Sequence, residues 1–590
     1  MVALFKLQTR AELAAALDIP LKKLTYLLYI KGTENCYSTF WVPKKSGGVR
    51  GICAPNEDLK DIQKKLASLL QDKQIEMHKD SKTPRVLSHG FERGRNIFSN
   101  SKIHCKKRFV FNLDLEDFFG SIHFGRIVGY FEKNRFFEFS HEVAVAIAQL
   151  CCYQGKLPQG APTSPVLANL VSEILDYKLL NISKKYRVDY TRYADDLTFS
   201  TNDPKFLDNY ESFYREVNGT IRRAGFAVNE KKTRLQFRDS RQTVTGLVVN
   251  KKINIYRDYY KQTRAMAHQL YKTGSFQING VDGTLAQLEG RFAFIHQCDL
   301  LNSDHIGEKK PTHHLTSREK QYQKFLFYKT FYAHDTPLLV MEGPTDIRYL
   351  KAALMNMHND YPKLVHKETN GTFTFKIRFF QRTPRQRHSP NASDKPKKLS
   401  RWRYLFDVVE GADSMTNIYE FYTGTQGRPS YFKEFTTLGK LQQIFPVILI
   451  FDNELDNSDK PIYKFLKGIK DRERIKKDIQ NSTYSHLLKD SNLHLVTHPL
   501  PTGEKEGEIE SLFDESTRQI KLGGKSFNPN EKTFDKAQHY GKDIFSKYII
   551  NNYESINFDG FRPMLDLINR IITESEQETP DAPCKCYSNS

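Results

Sequence analysis

The stretch Val188-Asp-Tyr-Thr-Arg-Tyr-Ala-Asp-Asp-Leu-Thr-Phe-Ser200 reads as two short strands around a tight turn, with Asp195 and Asp196 at the tip. Two adjacent carboxylates in such a place repel one another and resist ionising together unless a cation neutralises them. Upstream, Phe111-Asn-Leu-Asp-Leu-Glu-Asp-Phe-Phe119 places Asp114 at the end of another run. Phe109, Phe111, Leu113 and Leu115 alternate there as on a half-buried strand. Neighbouring strands could bring Asp114, Asp195 and Asp196 to one point, and an all-oxygen ligand set suits Mg²⁺. A lone Asp-Asp pair is also what an ordinary turn looks like, so the rest of the chain has to decide.

Around this centre the chain has 590 residues, too many for one core, and two to four domains are expected. A formal charge of +20 points to an anionic partner, most simply nucleic acid; a solvated basic surface is the plain alternative. Eight cysteines include the neighbours Cys151 and Cys152 and the tail pair Cys584 and Cys586, but no C-x-x-C, which argues against a zinc ribbon. A reduced, cytoplasmic setting is expected. The N-terminus turns polar too soon for a signal peptide. The longest mostly apolar stretch, Val143 to Tyr153, is well short of the ~18 residues of a membrane span, so no membrane partner is expected.

Thr9-Arg-Ala-Glu12 is a capping box. Leu13, Leu17, Leu21, Leu24 and Leu28 come next at helical spacing, broken by Pro20. Residues 1–35 are thus a helical element, either a helix-turn-helix or a packing piece at the edge of the next domain. From 36 to 250 short strands mix with helices, at 142–152 and 165–180 among others, in an α+β texture. Residues 251–330 are mostly helical and rich in Lys, Arg and Tyr. At Thr336 the pattern changes. Leu338 to Met341 is an apolar strand leading through Glu342-Gly-Pro-Thr-Asp346 to a helix from Ile347, and Phe445 to Phe451 is a second apolar strand ending in Asp452. This predicts a small α/β domain over 331–590. The basic stretch Gln381 to Arg403 between them reads as a loop. Its Arg382, Arg385, Arg387, Lys397, Lys398, Arg401, Trp402 and Arg403 could hold nucleic acid or simply face water.

The order of motifs resembles that of reverse transcriptases, and specifically of bacterial retron reverse transcriptases. Tyr193-Ala-Asp-Asp196 is similar to the family's catalytic box and Asp114 to its first metal-binding Asp. The resemblance implies a right-hand polymerase of fingers, palm and thumb. A pair of Mg²⁺ ions about 4 Å apart would activate the primer hydroxyl and stabilise the leaving pyrophosphate. Phe119 falls where the family carries the ring that excludes a ribose 2′-OH. Leu157-Pro-Gln-Gly-Ala-Pro-Thr-Ser-Pro165 resembles the template- and dNTP-contacting motif, with Gln159 near the nucleotide and Gly160 allowing close backbone approach. Lys45-Ser-Gly-Gly-Val-Arg50 resembles the fingers motif, whose Lys45 and Arg50 would hold the triphosphate. Gly225-Phe-Ala-Val-Asn-Glu-Lys-Lys232 resembles the later palm motif, with Lys231 or Lys232 near the phosphates.

Asn100-Ser-Lys-Ile-His104 resembles the retron Asn-Ala-x-x-His signature with Ser101 for Ala; Val244-Thr245-Gly246 matches the Val-Thr-Gly signature, and His89-Gly-Phe91 the His-Gly-Phe one. By resemblance Asn100, His104, Val244, Thr245, Gly246 and Arg257 belong to RNA binding, with a core-bonded His104 and a simple turn at Gly246 as the plain alternatives, and 251–330 is a thumb that grips an RNA stem-loop by shape, phosphate and 2′-OH. Tyr259, Tyr260, Lys261 and Arg264 are further candidates there. The implied partners are dNTPs, the enzyme's own non-coding RNA and the RNA-linked single-stranded DNA (msDNA) copied from it.

Leu338-Leu-Val-Met-Glu342-Gly-Pro-Thr-Asp346 resembles the opening of Toprim domains. That resemblance makes Glu342 a general acid/base and puts the Mg²⁺-binding Asp-x-Asp at Asp452-Asn-Glu454, with Glu for the second Asp and Asp456 competing for the place. Glu508-Ile-Glu510 resembles a third acidic element of nuclease-type members. The reading is a retron reverse transcriptase fused to a Toprim nuclease effector of anti-phage defence, acting on a nucleic-acid target. A non-retron prokaryotic reverse transcriptase, or a C-terminal half that only binds nucleic acid, are the alternatives, and homo-oligomerisation is left open.

Overall fold

The computed structural model describes residues 6–44, 47–80, 87–303, 314–380, 400–408, 413–439, 445–501, 503–530 and 533–577. The chain parts into two compact units, Met1–Arg257 and Asp258–Ser590.

The first unit opens with α1 (Arg10–Ala16), capped reciprocally by Thr9 and Glu12, and α2 (Leu21–Thr25), which starts straight after Pro20 and runs into a π-helical turn, Tyr26–Lys31. Leu13, Leu17, Leu24 and Leu28 are buried in the main core of this unit, so the element packs as part of it. A ribbon of β1 (Tyr37–Pro43) and β2 (Val49–Pro55) leads to α3 (Glu57–Asp80) and to α4 (Ile97–Ile103), capped by Asn96. Then come β3 (Phe109–Glu116), α5 (Phe124–Lys133), α6 (His141–Cys151) and α7 (Ser164–Lys185), with Pro165 in its first turn. The hairpin of β4 (Asp189–Tyr193) and β5 (Asp196–Thr201) is next, then α8 (Phe206–Arg223), β6 (Ala227–Val228) and β7 (Arg234–Phe237).

These strands form an antiparallel sheet in the order β4-β5-β3-β6, with β7 also paired to β3. Phe111 and Leu113 belong to the main core, where Phe111 meets Phe213 of α8. On the other face of β3, Val110 packs with Val244 and Val249 around the small hairpin of β8 (Thr243–Val244) and β9 (Leu247–Val248). The strand is therefore covered on both sides rather than half-buried. Alternation reports which residues share a face and not what lies over the second one.

The second unit begins with α9 (Arg257–Thr273), a short hairpin of β10 (Gln277–Ile278) and β11 (Val281–Asp282), α10 (Leu285–Leu301) and α11 (Ser317–Phe327). Its main sheet draws on β12 (Leu338–Val340), which leads to α12 (Pro344–Asn356). After a side hairpin of β13 (Val365–Lys367) and β14 (Phe373–Phe375) come β15 (Arg378–Phe379), β16 (Val447–Phe451), β17 (Tyr484–His486) and β18 (Leu493–Thr497). The order is β15-β12-β16-β18-β17, parallel except at β17. This is the α/β architecture anticipated from Thr336 onward.

The boundary expected at residue 330 is not where the chain parts. Leu270, Phe292, Tyr322, Phe325 and Leu326 share one apolar cluster with Leu338, Val340, Val447, Leu449 and Leu495 of the sheet. The helical segment 258–330 thus shares one core with that sheet, together with Phe406, Ile418, Tyr422, Phe435 and Phe465 from the chain between β15 and β17. The other face, with Leu339, Ile448, Ile450 and Val496, is covered by α12 and the helices Lys542–Asn551 and Arg562–Gln577. Of the basic stretch, 381–399 lies outside the described residues, and Arg401–Phe406 is a short helix. Its Trp402 packs on Phe380 and Phe406, and Arg401 pairs with Glu289, so neither stands free in a loop. Among the described residues no helix is long and apolar enough to cross a membrane.

Candidate active site

Antiparallel pairing sets Asp114 directly opposite Asp196, and the Leu115 N–H donates to the Asp195 carbonyl at 2.9 Å. Ala194 turns the chain in the left-handed region, φ +56°, so the two acids emerge beside the end of β3. Burial, and next the charge of Asp114, raises the Asp195 carboxyl. Burial and the neighbouring Asp195 and Asp114 push Asp196 up to about 7. One cation is already among them: Lys232 Nζ lies 2.9 Å from both Asp114 oxygens, and that bond raises its own pKa. Of the two lysines the sequence left open, it is Lys232 that reaches the acids. Among the described residues no three acidic, His or Cys side chains are pre-closed as a metal cage. The donor set nonetheless fits a hard divalent cation, because it is all oxygen, crowded with negative charge and holding an ammonium against it.

The hairpin is braced from below. Arg192, wholly buried, donates to Asp176 at 2.9 and 2.7 Å, to Asn169 at 3.0 Å and to the Ala194 carbonyl at 3.3 Å. The His89 N–H donates to the Arg192 carbonyl at 2.7 Å, and Asn169 donates to the Gly90 carbonyl at 2.8 Å. A Cβ on Gly90 would stand 2.6 Å from the Ala194 nitrogen, so only glycine fits against the turn. Nothing in the spacing of Asn169, Asp176 and Arg192 announces this brace; a charged residue one position before the Tyr-Ala-Asp-Asp box is the only hint.

The two retron signatures meet each other. Ser101 Oγ donates to the Val244 carbonyl at 3.0 Å and lies 3.3 Å from Thr245 Oγ1. His104 bridges the hairpin strands, Nδ1 to Ser200 and Nε2 to Thr191, each 2.7 Å, while Thr191 donates to Asn100 at 2.6 Å. Burial pushes the His104 ring down to about 3, so it is neutral. Asn100, His104 and Val244 are enclosed in protein and present no surface to RNA; Gly246 and Arg257 are exposed and Thr245 partly so.

Among the residues expected around a nucleotide, Arg50 is exposed on β2, and its charge reaches Asp195 and opposes the rise there. The Cys53 N–H donates to the Gln159 carbonyl at 2.8 Å, tying the ribbon to the Gln159-Gly160 loop. Gly160 has φ +126°, and a Cβ there would meet the Cys53 carbonyl at 2.8 Å. Phe119 is half-buried against the buried Phe118. Lys45 lies outside the described residues.

The second unit gathers its acids beyond the carboxyl ends of the parallel strands β12 and β16, where open α/β sheets place their ligand sites. The Asp452 N–H donates to Glu342 Oε1 at 3.1 Å, and the Ile509 N–H to Asp452 Oδ1 at 3.0 Å. Asp346 accepts from the Gly343 N–H at 2.8 Å. Burial, then Asp452 and Asp346, drives the Glu342 carboxyl well above its ordinary value. Lys460 stands 2.6 Å from Glu454 and 3.4 Å from Glu508; Lys542 stands 2.9 Å from Glu508 and 3.0 Å from Glu510. Glu454 is buried in this cluster, whereas Asp456 is exposed and paired with Lys476.

The sequence model of the family described as reverse transcriptase (RNA-dependent DNA polymerase) matches residues 42–265. The chain is 32% identical over 324 residues to the retron Mx65 reverse transcriptase of Myxococcus xanthus, covering 51% of this chain and 71% of that protein. It is 32% identical over 316 residues to the retron Ec86 reverse transcriptase of Escherichia coli, covering 53% and 90%. A solved telomerase from Candida albicans, in complex with a fragment of telomeric RNA, aligns with 50% of this chain and 57% of its own at 11% identity and a TM-score of 0.31. With its acidic hairpin and its retron signatures joined around one sheet, the chain belongs to the retron reverse transcriptases.

Proposed function

We propose that Asp114, Asp195 and Asp196 are the catalytic carboxylates of RNA-templated DNA synthesis and that the chain copies its own structured non-coding RNA into RNA-linked single-stranded DNA. The observation that carries this is the convergence of the three acids, two of them with raised pKa, around the Lys232 ammonium. Asp114, Asp195 and Asp196 would hold Mg²⁺, which would supply activation of the primer hydroxyl and stabilisation of the leaving pyrophosphate. Lys232 gives up its hold on Asp114 when that charge is otherwise neutralised and is then free to meet triphosphate oxygens. Arg50 and Lys45 bind the triphosphate, Gln159 and Gly160 line the nucleotide, and Phe119 excludes the ribose 2′-OH.

We infer for the second unit a Toprim-like nuclease effector of anti-phage defence, with Glu342 as acid/base and Asp452 and Glu454 as metal ligands. Its support is the placement of Glu342 and Asp452 on adjacent parallel strand ends and the raised Glu342 carboxyl. A second reading, a binding module without catalysis, is favoured by Lys460 and Lys542, which already neutralise Glu454, Glu508 and Glu510.

One pair of variants tests both halves. Asp195→Asn with Asp196→Asn abolishes RNA-linked DNA, and continued synthesis rejects the assignment. Glu342→Gln leaves DNA synthesis intact and removes metal-dependent cleavage of nucleic acid. If the unaltered protein cleaves no RNA or DNA with Mg²⁺ or Mn²⁺, the binding module is the right reading.

A further inference from the structure

Among the described residues around the hairpin, Phe91 alone combines three features. It is a bulky residue in the left-handed region, φ +60°. It is 43% exposed despite its aromatic ring. That ring lies 6.1 Å from the ring of Phe119, tilted by 48°. A non-glycine residue is held in this backbone region only where its surroundings over-determine it, and such residues gather at functional sites.

The surroundings do over-determine it. On one side Gly90 is pinned by the Asn169 amide and by contact with the Ala194 backbone. On the other, Glu92 Oε1 accepts from Gln74 at 2.8 Å and from Asn169 at 3.1 Å. With residues 90 and 92 both tied inward, the side chain of Phe91 is thrust out beside the catalytic turn. Phe119 then has two aromatic neighbours, the buried Phe118 at 5.4 Å and the exposed Phe91. A ring with one aromatic neighbour has more room to swing away from an added hydroxyl than a ring whose motion is limited by two.

We propose that Phe91 is a positioning residue for sugar selectivity: it acts only through the Phe119 ring, holding it where it meets a ribose 2′-OH. This rests on Phe119 acting as the sugar gate, and the experiment separates the two. Single-nucleotide extension is measured with dNTP and with rNTP on the full chain bearing its RNA. The variants are Phe119→Ala, Phe91→Ala, Phe91→Gly and Phe91→Tyr.

Phe119→Ala tests the gate: an unchanged dNTP-over-rNTP ratio of kcat/KM overturns the gate and this proposal with it. With the gate upheld, Phe91→Ala and Phe91→Gly lower the ratio by about tenfold or more, a loss in keeping with removal of packing at a selective pocket. The change comes through faster rNTP use, with dNTP kcat and KM within about threefold of the parent. Phe91→Tyr restores the ratio. Phe91→Gly also keeps or raises the melting temperature, because glycine accepts φ +60° without strain. A ratio left unchanged by both Phe91→Ala and Phe91→Gly while Phe119→Ala lowers it overturns the proposal. So does an equal loss of dNTP and rNTP incorporation, which would assign Phe91 to general assembly of the site.

Discussion

Asp196 shows what a single carboxylate contributes before any substrate arrives. Its unfolded value is 3.8 and burial with its two acidic neighbours lifts the folded value to about 7. A carboxyl that binds its proton more tightly when folded adds stability at low pH, and that stability is lost as pH rises from about 4 to about 7. Metal-free protein is therefore expected to melt at a lower temperature at pH 8 than at pH 5, by an amount worth a few kcal/mol at roughly 1.4 kcal/mol per pKa unit. Asp195 and Asp196 titrate as a pair, so the slope belongs to both. Asp196→Asn should raise the melting temperature at pH 8 and leave it unchanged near pH 3, read by calorimetry in chelator. A variant that melts like the parent at pH 8 would mean the charge is already neutralised, by Lys232 above all. The three acids could be located from the sequence because strand alternation and an adjacent acid pair are local features. Lys232 could not be told from Lys231, since a short 3-10 turn at Glu230–Lys232 decides which ammonium faces Asp114.

At the level of elements, the catalytic hairpin is held by helices whose sequence signals point elsewhere. The Asn-Ser-x-x-His and Val-Thr-Gly signatures could be recognised as motifs, yet their joint packing could not, because residues 101 and 244 are joined only through folding. Ser101 in place of Ala gives the Val244 carbonyl a donor that alanine lacks. His104, which the sequence left between an RNA contact and a core-bonded ring, straps β4 to β5 as a neutral ring. The brace from α7 is of the same kind: Asp176 is the buried acceptor that keeps Arg192 under the turn, with side chains 4% and 0% exposed. Removing one partner of a buried ion pair leaves an uncompensated charge and costs about 3–5 kcal/mol. Asp176→Ala should therefore lower the urea midpoint of the first unit and, by freeing the Ala194 turn, reduce DNA synthesis more than it weakens dNTP binding. Equal stability in denaturant would show that Arg192 finds another acceptor, with Glu92, whose charge also acts on it, the candidate.

For the whole molecule, the consequential finding is where the chain divides. Composition changes at Thr336, where a helical, basic region gives way to apolar strands, and a boundary near 330 comes naturally from reading along the sequence. The packing crosses that line. Tyr322, Phe325, Leu326, Tyr328 and Phe331 lie in the same cluster as β12, β16 and β18. The ring of Phe331 also meets those of Phe380 and Trp402. A sequence pattern shows that a helix has an apolar face and not which sheet it will cover. A fragment starting at 331 keeps Phe406, Ile418, Tyr422, Phe435 and Phe465 in that cluster but loses Leu270, Phe292, Tyr322, Phe325, Leu326, Phe327 and Tyr328, large side chains each worth about 1.5–3 kcal/mol on burial and together comparable with the roughly 5–15 kcal/mol of a typical domain. A fragment spanning 258–590 keeps the whole cluster. Expressed separately, 258–590 should be monodisperse with a cooperative melt, while 331–590 should aggregate or bind a hydrophobic dye without one. If 331–590 instead folds cooperatively, the helices α9 to α11 are an accessory to the sheet and are separable from it, as the composition alone would have it.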